Sequence, residues 1–274
     1  LAYWDDGSEK IVQQNHPNLV DMFFNRELDR EGAIALRAML PHLDVIEVKP
    51  IGGILMPADL IDGVNTGKNR MHAWLQMTNL GMWLPGVVNT DAHRNFHGSG
   101  GLRNFIFSPE DDPAKVELVN LMDSLRKGRV VMSNGPFMEV IMQARSDGKN
   151  CIPGDTIVAS GGKAELRVRV QCPNWLDIDR VQVLVNGRQP KDLNFTRDSH
   201  PKWFSDEVVK FDRSIPLNLE EDAHIIVVAI GERTTLGPVM GEVQRAINPT
   251  AVSNPIFVDV DGEGFKPNGD RLDL

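Results

Sequence analysis

The residues best suited to chemistry sit in two short polar clusters, Asn15-His16-Pro17 and Asn89-Thr90-Asp91-Ala92-His93-Arg94. Each follows an apolar run that reads as a strand, and parallel α/β architectures gather functional side chains at the C-terminal ends of strands. Residues two apart on a strand point the same way, so the Asp91 carboxylate and the His93 imidazole can converge on one side. Carboxylate oxygen plus imidazole nitrogen suits Zn²⁺, Mn²⁺ or Fe²⁺ better than Ca²⁺. His16 can approach from a neighbouring strand as a further ligand. The competing reading has Asp91 orienting His93 or capping a helix; His16 at a second strand end brings the two readings level. Arg94 and His97 are candidate catalytic groups by position, able to neutralise an oxyanion or face a substrate. For His97, in a Gly-rich loop, a solvated histidine is the rival reading. His42, His72, His200 and His224 have no partner pattern and read as structural or surface residues.

Other motifs are weaker or missing. Asp259-Val260-Asp261-Gly262-Glu263-Gly264 resembles a Ca²⁺ loop but lacks the twelfth-position Glu and the ligand spacing of an EF-hand. A turn closed by Asp and Gly side-chain chemistry is the better reading. The chain has no phosphate-cradling G-x-x-x-x-G-K-[ST], no G-x-G-x-x-G after a strand and no G-x-S-x-G elbow, which weakens nucleotide-dependent and serine-hydrolase readings.

The elements that would position the clusters fall into two patterns. In the first half, short strands alternate with helices. Ile11 to Asn15, Val45 to Val48, Gly86 to Asn89 and Val130 to Ser133 read as strands. Glu31 to Leu40 and Lys68 to Asn79 read as helices, the second stopped by Gly81. A third helix is opened by Asp112-Pro113, carries Val116, Val119, Met122 and Leu125, and stops at Gly128. This alternation implies a parallel sheet with helices outside, either as a barrel or as an open doubly wound sheet. After Pro136 the period changes to two. Ala164, Leu166, Val168 and Val170 alternate with polar residues, and Val181, Val183 and Val185 run into the hairpin signal Asn186-Gly187. Val209 and Phe211 suggest another strand, and His224 to Ile230 one covered on both faces. A β-sandwich follows.

Composition bounds the partners. With 274 residues, 41% of them hydrophobic, the chain can bury two cores. The net charge of −9, with no basic run, argues against nucleic acid. No apolar stretch approaches the ~20 residues needed to cross a bilayer. Cys151 and Cys172 are too few for a disulfide scaffold or a thiolate zinc site; free thiols are favoured over a pair.

An ordered set of motifs resembles the PHP-domain metallohydrolases of the carbaryl hydrolase type. It runs through Asn15-His16-Pro17, Ile46-Glu47-Val48, Gly86 to Arg94, Asp111-Asp112-Pro113, Lys127-Gly128-Arg129 and Ser133-Asn134-Gly135-Pro136-Phe137. Trp175, Asn186-Gly187 and Ser253 to Asp259 complete it. The resemblance implies α/β plus all-β architecture: the C-terminal half of a distorted (β/α)7 barrel over 1–137, a β-sandwich over 138–246, and a tail over 247–274 packing back on the barrel. It also implies a centre of two or three divalent ions (Zn, Mn or Fe) with His16, Asp91 and His93 as ligands. The family's opening H-x-H, T-D-H-N segment, bridging Glu and G-H-x-N strand are not found, and Glu47 is not placed in the bridging role. The expectation is that the N-terminal half of the same protein, or another chain, supplies them.

The function so implied is hydrolysis of a small-molecule ester, carbamate or phosphoester by metal-activated water, with export from a bacterial cell as the expected compartment. The alternative is a non-catalytic carbohydrate- or protein-binding protein with an incomplete barrel. Trp175, Trp203 and Phe204 could form a stacking platform, although core packing and loop anchoring are the favoured uses.

Overall fold

A computed structural model of the chain describes residues 10–18, 38–56, 69–93, 100–144 and 148–272. Three strands near the N-terminus, β1 (Gln13–Gln14), β2 (Val45–Glu47) and β3 (Gly86–Val87), form a parallel sheet in the order β1-β2-β3. Helix α1 (Arg70–Asn79) crosses between β2 and β3. The Asn69 side chain caps it by accepting from the Met71 and His72 amides. Trp74 on α1 is fully buried, and its indole N–H donates to the Leu84 carbonyl at 2.9 Å. The helix lies so close to β3 that a Cβ at Gly86 would stand 3.0 Å from the Trp74 ring and 2.9 Å from Val48. Only glycine fits there.

Two further sheets make a sandwich. The smaller holds β6 (Phe137–Ala144), β7 (Asn150–Cys151), β9 (Lys163–Gln171) and β12 (Val209–Asn218) in the order β12-β9-β6-β7. The larger, eight-stranded sheet contains β4 (Arg103–Ile106), β5 (Val130–Ser133), β8 (Thr156–Val158), β10 (Arg180–Val185), β11 (Asn194–Thr196), β13 (Ala223–Ile230), β14 (Thr250–Ser253) and β15 (Ile256–Asp259). Period-two patterning sorts the two cores. Val181, Val183, Ile225 and Val227 face the smaller sheet, alongside Met138, Val140, Leu166 and Val168. Leu184, Ile226, Val228, Val252 and Met132 face the other way, onto Met71, Trp74, Leu75 and Met77 of α1. The larger sheet is therefore a middle layer, which explains why all eight residues of β13 are buried.

Two asparagines join the parallel sheet to that middle layer. Asn254 accepts from the Gly86 N–H at 2.8 Å and donates to the Gly86 carbonyl at 2.9 Å, while its own amide donates to the Val130 carbonyl at 3.0 Å. Asn104 on β4 does the same for Val88, at 2.9 and 2.8 Å. Each side-chain amide stands in for a neighbouring strand, so β3 runs on into the β4–β5 edge without a direct backbone ladder.

This arrangement overturns the expected half of a (β/α)7 barrel. The chain is mostly β-sheet, and no closed barrel exists among the described residues. The parallel run ends at β3. Strand β5 pairs antiparallel with both β4 and β14, so its partners come from the sandwich. The sheet accordingly spans the expected boundary at 137/138. The third helix also starts later than expected. Asp112 closes a turn by accepting from the Ala114 amide, and helix α2 (Leu118–Lys127) begins after Glu117, ending as expected at Gly128 in the left-handed conformation. Of the expected helix from Glu31 to Leu40, residues 31–37 lie outside the described residues; Leu40–His42 form a 3-10 turn.

The C-terminal segment closes the helix side. The carbonyl of Asp270 accepts from Asn79 and that of Arg271 from Gln76, while the Asp270 carboxylate pairs with Arg188 at 2.7 Å. Leu272 is buried in the helix core. Among the described residues, no helix is long and apolar enough to cross a membrane.

Candidate functional site

Residues at the C-terminal ends of β1, β2 and β3 form a charged cluster. The β1 strand turns at His16, whose φ is 30°, and the segment after β3 turns at Asp91, φ 51°. These are two of only four non-glycine residues with positive φ among the described residues, a conformation that costs on the order of 1–3 kcal/mol and concentrates at functional sites. At the end of β2, the Glu47 side chain is fully buried. One of its oxygens accepts from the His16 backbone N–H. The other, Oε1, lies 3.0 Å from Lys49 Nζ as an ion pair, off the line of a hydrogen bond. The same ammonium lies 3.7 Å from Asp91 Oδ2. Lys49 thus ties the end of β2 to the segment following β3.

His93 completes the cluster. Its Nδ1 lies 2.6 Å from the Asp91 backbone carbonyl, which can only accept, so Nδ1 carries the hydrogen. In the neutral ring Nε2 is then the lone-pair atom, and it lies 3.8 Å from Asp91 Oδ1. A backbone carbonyl that fixes the imidazole tautomer is the usual outer support of a metal-bound histidine. Ligands at 2.0–2.2 Å from one Zn²⁺-like ion stand roughly 3–4 Å apart, so the Asp91 and His93 donor atoms have the spacing of two ligands on one ion.

His16 is brought to the cluster by its backbone; its side chain is exposed. His16, Asp91 and His93 do not bring three ligand atoms within 4.8 Å of one another. Among these side chains only Asp91 and His93 bring donor atoms to 3.8 Å of each other, while Glu47 faces Lys49. Arg94 and His97 lie outside the described residues. Sequence reasoning passed over Lys49. The signal was present in Glu47-Val48-Lys49, whose outer members share a face at a strand end.

One triad does meet that spacing: Asp222, Asp259 and Asp261. Its oxygens are already engaged. Asp259 accepts from the Gly262 and Gly264 amides, Asp222 from Val260 and Lys266, and Asp261 from Glu263 and the Lys266 ammonium. Those bonds hold the Asp261 carboxyl below the usual carboxylate range, the Lys266 side chain contributing most. The segment is a hydrogen-bonded turn.

Of the aromatics singled out in the sequence, two serve packing. Trp203 stacks on Phe195 at 4.7 Å, and Phe204 is buried against Phe211. Trp175 is 74% exposed, with neither of the other two beside it as a platform partner in any ring contact among the described residues. Cys151 and Cys172 are both buried and are not bonded to each other.

Comparison with family models, curated proteins and solved structures finds no match to this chain.

Proposed function

We propose that the chain is a divalent-metal-dependent hydrolase acting on a small ester, carbamate or phosphoester, with its centre at Asp91 and His93. The observation that carries this reading is the orientation of His93: its Nδ1–H is committed to the Asp91 carbonyl, which aims the Nε2 lone pair toward the Asp91 carboxylate at 3.8 Å. The resemblance of Asn15-His16-Pro17 and Asn89 to Arg94 to PHP-domain metallohydrolases points the same way. When bound, the ion would lower the pKa of a water to about 7 and polarise the bond to be cut. Within the chain, Asp91 and His93 supply the ligands, and the Glu47 carboxylate holds Lys49 toward Asp91. The Lys49 ammonium stands where negative charge on a hydrolysed ester oxygen could be stabilised.

The second reading, a non-catalytic binding protein, is favoured by Lys49 itself, which already neutralises both carboxylates. The test is metal analysis of the purified protein, followed by hydrolysis of p-nitrophenyl phosphate and 1-naphthyl carbamate with Mn²⁺ or Zn²⁺. Metal-dependent turnover that His93→Ala abolishes is expected. Turnover unchanged by His93→Ala would remove the centre from this site; stoichiometric metal without turnover would favour the binding reading.

A further inference from the structure

We infer that Asn268-Gly269 is a site of spontaneous deamidation, and that its conversion to isoaspartate loosens the C-terminal segment from α1. The chain holds three Asn-Gly pairs: Asn134-Gly135, Asn186-Gly187 and Asn268-Gly269. In such a pair the glycine nitrogen can reach the asparagine side-chain carbonyl carbon, because no Cβ stands in the way. Two of the three side chains are locked. Buried Asn134 accepts from the Thr250 amide at 2.6 Å and donates to the Asn248 carbonyl at 2.9 Å. Buried Asn186 accepts from the His224 amide at 2.9 Å and donates to the Asp222 carbonyl at 3.4 Å. Asn268 is exposed. Its Oδ1 accepts from the Asp270 amide at 3.0 Å, and its Nδ2 makes no hydrogen bond among the described residues. The bond to Oδ1 draws electron density from Cγ and makes it the better electrophile, while the leaving nitrogen stands in water.

The reaction needs only water. The Gly269 nitrogen bonds to Asn268 Cγ as the Cγ–Nδ2 bond breaks, and its proton ends on the nitrogen that leaves as ammonia. Water then opens the resulting succinimide ring. Opening at the side-chain carbonyl gives aspartate. Opening at the main-chain carbonyl gives isoaspartate, whose backbone runs through Cβ and Cγ and is one atom longer. In the docked segment the Gly269 N–H is committed to the Asn79 carbonyl at 2.8 Å, so attack waits for the segment to lift. Its attachments are few. The side-chain amides of Asn79 and Gln76 hold the carbonyls of Asp270 and Arg271, Arg188 pairs with the Asp270 carboxylate, and Leu272 fits beside Gly187. Contacts on that scale open locally, ahead of global unfolding. On the other side, the Lys266 amide donates to Asp222 and Pro267 packs closely on Gly81. With the chain anchored on both sides of residue 268, an extra backbone atom there is taken up only by giving up contacts to α1.

The test incubates the full chain in mildly alkaline buffer and follows each Asn-Gly pair by peptide mapping, with mass-spectrometric fragmentation that separates isoaspartate from aspartate. Hydrogen exchange of residues 265–272 is measured before and after. Conversion is expected at Asn268 first, with Asn134 and Asn186 intact. The isoaspartate form should lose the protection of the Gly269 amide. Leu272→Ala removes the apolar anchor of the segment and should speed conversion about tenfold or more. Asn268→Gln, for which closure would need a less favourable six-membered ring, should keep its protection through the same incubation. Earlier conversion at Asn134 or Asn186, or none at Asn268, would overturn the site. Full protection of Gly269 in the isoaspartate form would overturn the loosening, and equal rates in wild type and Leu272→Ala would overturn the gating by the segment. Should Leu272→Ala not fold, the wild-type map and exchange decide both the site and the loosening.

Discussion

His224 should make the protein acid-sensitive well above the pH at which carboxylates protonate. It lies on β13, 1% exposed, with Nε2 at 2.7 Å from Asn79 Oδ1. Asn79 spends its amide hydrogens on the Asn186 and Asp270 carbonyls, so Oδ1 accepts and the imidazole must donate from Nε2. Nδ1 keeps a bare lone pair with no partner among the described residues. A second proton would place an unpaired charge in the core, and burial pushes the pKa down from 6.5 to about 3. The sign follows directly. Between those two values the unfolded chain binds a proton that the folded chain refuses, so stability is complete above about 6.5 and declines as pH falls toward about 3. The slope is about 1.4 kcal/mol per pH unit, so moving from about pH 7 to about pH 5 costs roughly 2 kcal/mol through this one residue. Urea unfolding at both pH values, for wild type and His224→Gln, isolates the contribution. The glutamine can still donate to Asn79 but does not titrate. The stability gap between the two proteins should narrow by about 2 kcal/mol at the lower pH. An equal gap at both would refute the reasoning, as would a His224 ring resonance titrating in the folded protein with a midpoint near its ordinary value.

The remaining predictions concern packing and reactivity. Asn254→Ala leaves the N–H and carbonyl of Gly86 without their partner; at about 1–3 kcal/mol for each unsatisfied buried group, urea unfolding should show a loss of roughly 2–6 kcal/mol. A loss well below that range would mean water or a shifted strand replaces the amide. The Cys172 thiol is pushed up to about 11, chiefly by burial, with Asp177 raising it and Lys210 and Arg197 opposing. Since Cys151 is buried as well, native protein at about pH 8 should not react with a thiol reagent that labels both cysteines in urea. Fast native labelling would contradict the burial of either residue.

The sandwich was legible because its signal is local. Alternation over Ala164 to Val170 and over Val181 to Val185 states which face is buried, and Asn186-Gly187 closes its turn with φ values of 50° and 76°. The unbroken run from His224 to Ile230 likewise announced a strand covered on both sides. The parallel half was legible only as far as β3. A strand such as Val130 to Ser133 carries no mark of its partner. Whether it extends a parallel sheet or pairs antiparallel with Thr250–Ser253 depends on residues more than a hundred positions away. The site shows the same division. Asp91 and His93 stand together because they are two residues apart, and sequence can state that. The ion pair from Lys49 to Asp91 joins segments that leave different strands, so it becomes visible only once the register of β2 and β3 is known.

On the proposed metal reading, the Asn104 joint gives the sandwich a part in positioning the site, and this can be tested without touching a ligand. Asn104 lies on β4, a strand of the middle sheet, and holds both backbone groups of Val88, three residues before Asp91. If the sandwich positions the site, cutting this joint should disturb the Asp91–His93 pair more than an equally destabilising change elsewhere. The suitable reference is Asn254→Ala, which releases β3 at Gly86, farther from Asp91. Asn104→Ala frees one donor and one acceptor in a part-buried setting, so a stability loss of roughly 2–4 kcal/mol is expected, comparable with that of the reference. Mn²⁺ affinity should separate the two. A ligand shifted by about 1 Å is severe for geometry-dependent binding, so Asn104→Ala should weaken the ion by about tenfold or more, whereas Asn254→Ala should leave affinity close to wild type. Equal affinities in the two variants would confine the sandwich to stabilising the chain. A selective loss in Asn104→Ala would tie metal geometry to the middle sheet through a single amide.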